Sequence, residues 1–263
     1  MDNKKVSVAF DEGVAVLTMD CPENLNAIDV EMAKELITAL KRCEEDDGVK
    51  TVLLKGAGRS FSAGGDIRYL YRNIQEGVEE SSELVVLVGE LALSIKRMSK
   101  LVETSVRGPA AGAGANLALA GDFVVAAEDA KLIQAFVGIA LVPDTGGPYL
   151  LSRSIGAQRA LEMCITGRPV PAREAYDLGL IYRLCPAEEV ESEALALAKK
   201  LSAGPLLAYG NIKKQVFGAA FRDYEHYLHQ VEETTMNACA GTYDYEEGVR
   251  AFVEKRRAQF CGC

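Results

Sequence analysis

The sequence predicts a mixed α/β fold, a layered core of strands and helices that passes into a helical carboxyl-terminal region. Three observations carry that prediction. Strand-type alternation opens the chain, three glycine-marked junctions each join an apolar run to a helix, and beyond Pro148 the apolar periodicity is almost entirely helical.

Val6–Phe10 and Val14–Met19 alternate apolar and polar residues around Asp11-Glu12-Gly13, which predicts a β-hairpin. From Val30 to Asp46, Met32, Ala33, Leu36, Ile37 and Leu40 fall on one face, the pattern of an amphipathic helix with Asp29 as its N-cap. Val49–Leu54 predicts a second strand ending in the turn Gly56-Ala57-Gly58. A helix over Leu84–Met98 precedes a short strand at Val102–Val106. The three junctions follow the same format: Ser62-Ala63-Gly64-Gly65-Asp66, Gly108-Pro109-Ala110-Ala111-Gly112-Ala113-Gly114, and Pro143-Asp144-Thr145-Gly146-Gly147. Later helices are predicted over Ala157–Thr166, Ala172–Leu178, Val190–Leu201, Pro205–Phe217, Arg222–Ala238 and Glu246–Phe260. A core of residues 1–200 and a helical region of residues 201–263 is the expected organisation.

Composition bounds the function. In 263 residues, 49% hydrophobic and 25% charged side chains indicate a globular chain. A net charge of −9 disfavours nucleic acid as a partner of the surface as a whole. The start of the chain lacks the apolar core of a signal peptide, and no later run is long enough to span a bilayer, so a cytoplasmic enzyme with no membrane partner is expected. Seven scattered cysteines, an odd number, fit reduced thiols better than a disulfide framework. Cys261 and Cys263 with His226 and His229 are candidates for a metal site, but there is no CxxC pair, and none is expected.

The junctions suggest chemistry. A helix amino terminus presents unpaired N–H groups and partial positive charge, suited to an oxygen that gains negative charge. Small residues let a substrate approach the backbone closely. Two such termini aimed at one oxygen would form an oxyanion hole; tight helix–strand packing is the other explanation. Gly112-Ala113-Gly114 also opens a GxGxxG pattern, but Leu117 stands at the sixth position, where a dinucleotide site needs glycine.

Gly58-Arg59-Ser60-Phe61-Ser62-Ala63-Gly64-Gly65-Asp66-Ile67 resembles the first CoA-binding stretch of the crotonase (enoyl-CoA hydratase/isomerase) family, and Gly112-Ala113-Gly114-Ala115-Asn116-Leu117-Ala118-Leu119-Ala120-Gly121-Asp122 resembles its second signature. Asn26-Ala27 and the late run from Asp244 to Arg256 are similar to the family too, so the resemblance spans essentially the whole chain. It implies an α/β spiral of ββα turns with a helical carboxyl-terminal region, assembled as a homo-oligomer, trimer or hexamer. It implies an oxyanion hole made by the N–H groups of Gly65 and Ala113. Ala27, Ala63, Asp66 and Ile67 would line the adenine pocket of an acyl-CoA thioester, and Gly64 and Asn116 are further expected contacts of that substrate. Arg68 and Lys255 match basic positions facing CoA phosphates, Lys255 from the same or a neighbouring subunit; solvated surface charge is the other reading of both. No cofactor is implied, because coenzyme A is part of the substrate.

Hydratases of this family use two glutamates, and the corresponding positions here are Asn116 and Phe136. Adding water across a double bond needs a base and an acid, which two carboxylates supply. What remains is Asp144. The stretch Gln134-Ala135-Phe136 … Leu141-Val142-Pro143-Asp144-Thr145-Gly146-Gly147 resembles the ring-epoxide phenylacetyl-CoA isomerases and Δ3,Δ2-enoyl-CoA isomerases, a subgroup in which an aspartate at this place is the acid–base residue and which Asn116 also fits. Read without the resemblance, Asp144 is an Asx-turn residue capping the next helix. Glu83 and Glu90, on the helix expected to line the acyl pocket, are candidates for a second acid or for a solvated face. The histidines lie outside the signatures, which disfavours a histidine-dependent dehalogenase. An isomerase is therefore the leading expectation. A hydratase, a 3-hydroxyacyl-CoA hydrolase and a catalytically weak CoA-binding protein are the alternatives. Leu101-Val102-Glu103-Thr104 departs from the proline-containing strand start usual in the family.

Overall fold

A computed structural model describes residues 4–77 and 81–263. Residues 1–3 and 78–80, the latter within the region expected to shape the acyl pocket, lie outside the described residues.

β1 (Val6–Asp11) and β2 (Val14–Met19) form the expected antiparallel hairpin, with Asp11 opposite Val14. Its two-residue turn places both Glu12 and Gly13 at positive φ, the twist that suits tightly paired strands. α1 (Val30–Glu45) begins where Asp29 accepts the Met32 N–H at 2.9 Å, and buries Met32, Ala33, Leu36 and Leu40. β3 (Thr51–Gly56) and β4 (Leu101–Val106) continue the sheet in parallel, followed by the short β6 (Phe123–Ala127) and β9 (Arg183–Cys185), in the order β1-β2-β3-β4-β6-β9. A second sheet, β5 (Pro109–Ala111), β7 (Lys131–Ile133) and β8 (Pro169–Pro171), runs in the order β5-β7-β8. The chain thus passes repeatedly from one sheet to the other, with helices between, as a spiral of ββα turns. β5 to β9 have five residues or fewer, too short for an alternation signal to emerge from the sequence.

The helices are α2 (Ile67–Glu76), α3 (Ser81–Arg97), α4 (Ala113–Ala120), α5 (Gly147–Ile155), α6 (Ala157–Thr166), α7 (Ala172–Asp177), α8 (Val190–Ser202), α9 (Leu206–Ala220), α10 (Tyr224–Tyr227), α11 (Glu233–Ala240) and α12 (Tyr243–Glu254). Strand alternation separates two core layers. Val52, Leu54 and Val102 pack with α1, α3 and α4, whereas Leu53, Val125 and Cys185 pack with Leu197 and Ala198 of α8.

Two late helices differ from expectation. The single helix over Arg222–Ala238 is instead α10 and α11 joined by a π-helical segment, Leu228–Glu232. The helix expected over Glu246–Phe260 starts earlier and stops at Glu254, because Lys255 adopts the left-handed conformation (φ 56°). Glu247 then draws the following segment back, accepting from Arg256 Nη2 at 2.7 Å and from the Gln259 N–H at 2.8 Å. Aromatic rings seat this region on the core. The Tyr149 ring of α5 lies 5.0 Å from that of Tyr224 and 5.1 Å from that of Tyr227.

The unusual start of β4 has a physical account. Asp122 Oδ2 accepts the Val102 N–H at 2.8 Å and Lys213 Nζ at 2.7 Å, and Lys213 also donates to the Lys100 carbonyl at 2.9 Å. A buried ion pair from α9 thereby fixes the strand's first residues. Glu103 beside it is fully buried, and burial pushes its carboxyl up to about 8, so the side chain is accommodated in the neutral form. Lys213→Ala leaves Asp122 buried without its partner. The expected outcome is a loss of about 3–5 kcal/mol of stability, seen as a lower urea midpoint with an unchanged slope.

Candidate active site

The first junction is tied by Asn26. Leu25 and Asn26 both take left-handed conformations (φ 59° and 55°), which turns the Asn26 amide inward. Its Nδ2 donates to the carbonyls of Ala57 and Ser60, each at 2.9 Å, and its Oδ1 accepts the Cys21 N–H at 3.0 Å. The next residues then run beside the junction: Ile28 N donates to the Gly64 carbonyl at 2.7 Å, and Asp66 N donates to the Ile28 carbonyl at 2.9 Å. Ala27, Ala63, Asp66 and Ile67 are thereby brought together around the start of α2. The Asp66 carboxylate caps that helix, accepting the Arg68 N–H at 2.9 Å, and the Arg68 side chain is exposed beyond it.

The second junction packs backbone to backbone on the first. Ala111 N donates to the Ser62 carbonyl at 2.9 Å, and Ser62 Oγ donates to the Asn26 carbonyl at 2.7 Å. Gly64 has φ +88°, and a Cβ placed there would lie 2.5 Å from the Ala111 carbonyl oxygen and 3.3 Å from Ala113 N. A Cβ on Gly114 would lie 2.6 Å from Ser62 Cβ. The glycines are there because two chain segments meet with no room for a side chain. Gly65 follows on one segment, and Ala113 is the first residue of α4 on the other. Neither N–H finds an acceptor among the described backbone hydrogen bonds. Two free donors thus sit on adjoining segments, one of them at a helix amino terminus.

The third junction lies against the second. Asn116, fully buried on α4, donates from Nδ2 to the Asp144 carbonyl at 2.8 Å and accepts from Gln134 Nε2 at 2.7 Å. Both ends of its amide are therefore engaged within the protein. The Asp144 side chain does not cap α5: the cap position is Gly146, which receives no side-chain bond from a neighbour in sequence. Asp144 Oδ1 instead accepts from Thr145 Oγ1 at 2.7 Å, and burial pushes its carboxyl up to about 7. Phe136 lies over Gly112 of the second junction. A Cβ on Gly112 would lie 3.6 Å from its ring, which packs with Val85, Met236, Leu141 and Val142.

Other predicted residues stand apart. Glu83 is paired with Lys34 at 2.6 Å and Glu90 lies 3.7 Å from His229, both on the surface, so neither carboxylate enters the buried group around Asp144. Lys255 is exposed at the end of α12, a helix that packs on α2 of the same chain. His229 also pairs with Glu233 at 2.6 Å, and among the described residues no three histidine, cysteine or carboxylate side chains gather as metal ligands.

The structure adds groups for which the sequence carries no signal. Glu232, 2% exposed, accepts the Gly146 N–H at 2.9 and 3.2 Å, and the Tyr224 hydroxyl donates to the Thr145 carbonyl at 3.3 Å. Burial, and Asp144 nearby, push the Glu232 carboxyl well above the usual carboxylate range.

Comparison with known proteins gives the family. The sequence profile described as enoyl-CoA hydratase/isomerase matches residues 9–262. A trans-2-decenoyl-[acyl-carrier-protein] isomerase of Streptococcus mutans is 35% identical over 263 residues, all of both chains. A 1,2-epoxyphenylacetyl-CoA isomerase of Escherichia coli is 36% identical over 256 residues, 96% of each chain. Among solved structures, an enoyl-CoA hydratase from Mycobacterium avium subsp. paratuberculosis superposes with a TM-score of 0.89 at 31% identity, covering 98% of both chains.

The packing of the two glycines predicts opposite tolerances. Gly64→Ala introduces the clash and a strained left-handed alanine, and is expected to cost more than about 1–3 kcal/mol. A Cβ on Gly65 meets only Leu84 Cδ2, at 3.9 Å. Gly65→Ala, which keeps the N–H, should retain the wild-type melting temperature in a thermal scan that shows Gly64→Ala clearly lowered.

Proposed function

We propose an enoyl-thioester isomerase: the chain belongs to the enoyl-CoA hydratase/isomerase family, and within that family its residues suit a 1,3 proton shift better than hydration. The observation that carries this reading is the buried Asp144 carboxyl on the junction that Asn116 of α4 ties to the second one; Asn116 and Phe136 stand where the resemblance places a hydratase's glutamates.

The thioester carbonyl accepts hydrogen bonds from the N–H groups of Gly65 and Ala113, as the resemblance implies. Asp144, as carboxylate, removes a proton from the α-carbon. The electron pair moves into the carbonyl, and the two N–H groups stabilise the enolate oxygen, each donor contributing roughly 3–4 kcal/mol in comparable sites. Asp144, now neutral, returns the proton to the γ-carbon as the double bond moves into conjugation. A carboxyl near 7 suits both halves of this exchange, because it is neither too weak a base nor too weak an acid at neutral pH. Hydration needs a second group to activate water; the apolar Phe136 ring at Gly112 supports excluding it. Ala27, Ala63, Asp66 and Ile67 are assigned to the adenine end of CoA, Arg68 and Lys255 to its phosphates, and Gly64 to a further contact with the substrate. Asn116 is assigned to holding Asp144 in place. A ring-epoxide acyl-CoA would use the same enolate. The Streptococcus relative, matched over its whole length, favours a second reading of the carrier, in which the acyl group arrives on a carrier protein rather than on CoA.

Asp144→Asn keeps the size and the hydrogen bond to Thr145 but removes the base. Turnover of Δ3-enoyl thioesters, offered on CoA and on carrier protein and read by mass spectrometry, should fall by roughly a hundred- to ten-thousand-fold. In deuterated water the wild type should exchange α- or γ-protons and the variant should not. Wild-type activity should be lost as pH falls below about 7, where Asp144 gains its proton. The stability effect has the opposite sense. Because the folded carboxyl is raised, stability is lost as pH rises from the unfolded value near 4 towards 7, by up to about 4 kcal/mol. Asp144→Asn lacks this loss and should melt at or above the wild-type temperature at pH 8. Full activity in the variant would remove Asp144 from the reaction.

Self-association is also proposed. Exposed apolar side chains, Leu161 and Ile165 on α6, Leu207 on α9 and Phe252 on α12, support it. Light scattering at micromolar concentration should show a trimer or hexamer; a monomer would refute it.

A further inference from the structure

We propose that Glu232, carried on the π-helical segment Leu228–Glu232 of the carboxyl-terminal region, is a positioning residue that fixes the aim of Asp144 by holding the Gly146 N–H. The inference rests on the reading of Asp144 as the proton carrier and deepens it.

The turn that bears Asp144 cannot hold itself. Thr145 sits at φ +57°, a conformation that costs a β-branched residue about 1–3 kcal/mol. It is fully buried, so water does not satisfy its backbone. Three groups from elsewhere in the chain grip the turn at three successive residues. Asn116 donates to the Asp144 carbonyl, Tyr224 donates to the Thr145 carbonyl, and Glu232 accepts the Gly146 N–H. The first two grip carbonyls. Glu232 alone takes the N–H at the start of α5, a place usually served by a local cap. Here the cap position is a glycine, and the acceptor comes from 86 residues away. A Cβ on Gly146 would lie 2.0 Å from the Tyr224 hydroxyl oxygen, so the turn and the late helix are fitted to each other without slack.

Glu232 follows Tyr224 and Leu228 at a spacing of four and precedes Met236 by four, so it lies on the inward stripe of the late helices. π-helical turns of this kind recur at functional sites. Glu232 and Leu228 are buried at the two ends of this segment, whereas His229 between them pairs with Glu233 on the outer side. No lysine or arginine forms an ion pair with Glu232 among the described residues, and its carboxyl serves as acceptor for the turn. A buried carboxyl with no cation is costly to keep. A purely structural cap would be served by an uncharged side chain on the neighbouring turn. The placement makes sense where the position of the adjacent acid matters.

The test compares three variants with Asp144→Asn, all of them assayed for turnover of a Δ3-enoyl-CoA as folded protein. Glu232→Gln retains an acceptor oxygen for Gly146 and should keep kcat within about threefold of wild type. Glu232→Leu removes the acceptor and should lower kcat by about 10- to 100-fold, the scale on which a displacement of the reacting group by an ångström acts, while KM stays within about threefold. A residue that only supports the fold would lower the melting temperature of the leucine variant and leave kcat of the folded fraction unchanged. That result, with Asp144→Asn inactive, overturns the inference and leaves the assignment of Asp144 standing. If Asp144→Asn is itself active, the assignment of the base falls, and the role of Glu232 falls with it. Should Glu232→Leu fail to fold, Glu232→Asp decides the question. It shortens the arm by one methylene and withdraws the acceptor from Gly146, so at least a tenfold loss of kcat is expected, and a wild-type kcat refutes the proposal.

Discussion

The approach of the Gly64 backbone to Ala111 and Ala113 is the constraint from which the rest of the site follows. With a Cβ on Gly64 excluded by a 2.5 Å contact, two chain segments lie against each other, and the N–H groups just beyond the contact find no acceptor among the described residues. Free N–H groups in a buried setting are unfavourable. The surrounding bonds show what maintains them. Asn26 gathers the carbonyls of Ala57 and Ser60, Ser62 ties the first junction to the second, and Gly114 lets α4 sit on Ser62. Each of these groups satisfies its neighbours and leaves the Gly65 and Ala113 N–H groups without an acceptor among the described residues. On the proposed reading they are the donors to the thioester oxygen, and the fold itself sets them, which is the condition under which such donors contribute most.

Asp144 shows the same economy in charge. The α-helix that offers the Ala113 N–H also carries Asn116, so one element sets both the free donor and the height of the aspartate's carbonyl. Phe136 places an apolar ring over Gly112. The Asp144 carboxyl is raised chiefly because burial leaves its charge poorly solvated, and Asp144 in turn helps to raise the neighbouring Glu232. That same property makes it a usable acid and a usable base near neutral pH, and it makes the site a local weakness of the fold. A glutamate at either position 116 or 136 would place further charge beside Asp144 and favour a different division of labour between acid and base.

Much of this was legible in the sequence because it is local. The hairpin, the Asp29 cap, α1 and α6, and the three glycine junctions are set by neighbours within a few residues, and they stand where the pattern puts them. The Asp144 carboxyl could be picked out, but not the reason it fails to cap α5. The reason lies on α10 and the π-helical segment, which occupy that end of the helix through Tyr224 and Glu232. Glu232 itself sits in a stretch of acidic and polar residues that reads as a solvated face. It nevertheless follows Tyr224 and Leu228 at a spacing of four, on the buried stripe, and the pattern does not show which polar residue finds a partner there. The same limit applies to Lys255: a left-handed turn by a lysine ends α12, and no glycine marks the place.

The carboxyl-terminal helices therefore contribute to the site in two physically distinct ways. Rings of Phe221, Tyr224 and Tyr227 surround Tyr149 of α5, which fastens the region to the core by burial. Polar atoms of the same helices then reach past those rings to the turn at Asp144. The first interaction is insensitive to small shifts, since aromatic packing tolerates a range of geometries. The second is not, since a hydrogen bond weakens steeply away from its preferred distance and angle. An apolar anchor that fixes roughly and polar contacts that fix finely form a hierarchy. It lets a region attached late in the chain govern the position of one carboxyl group. The helices after residue 200 thus form one wall of the turn at Asp144, and on the proposed reading that wall sets the direction of the acid.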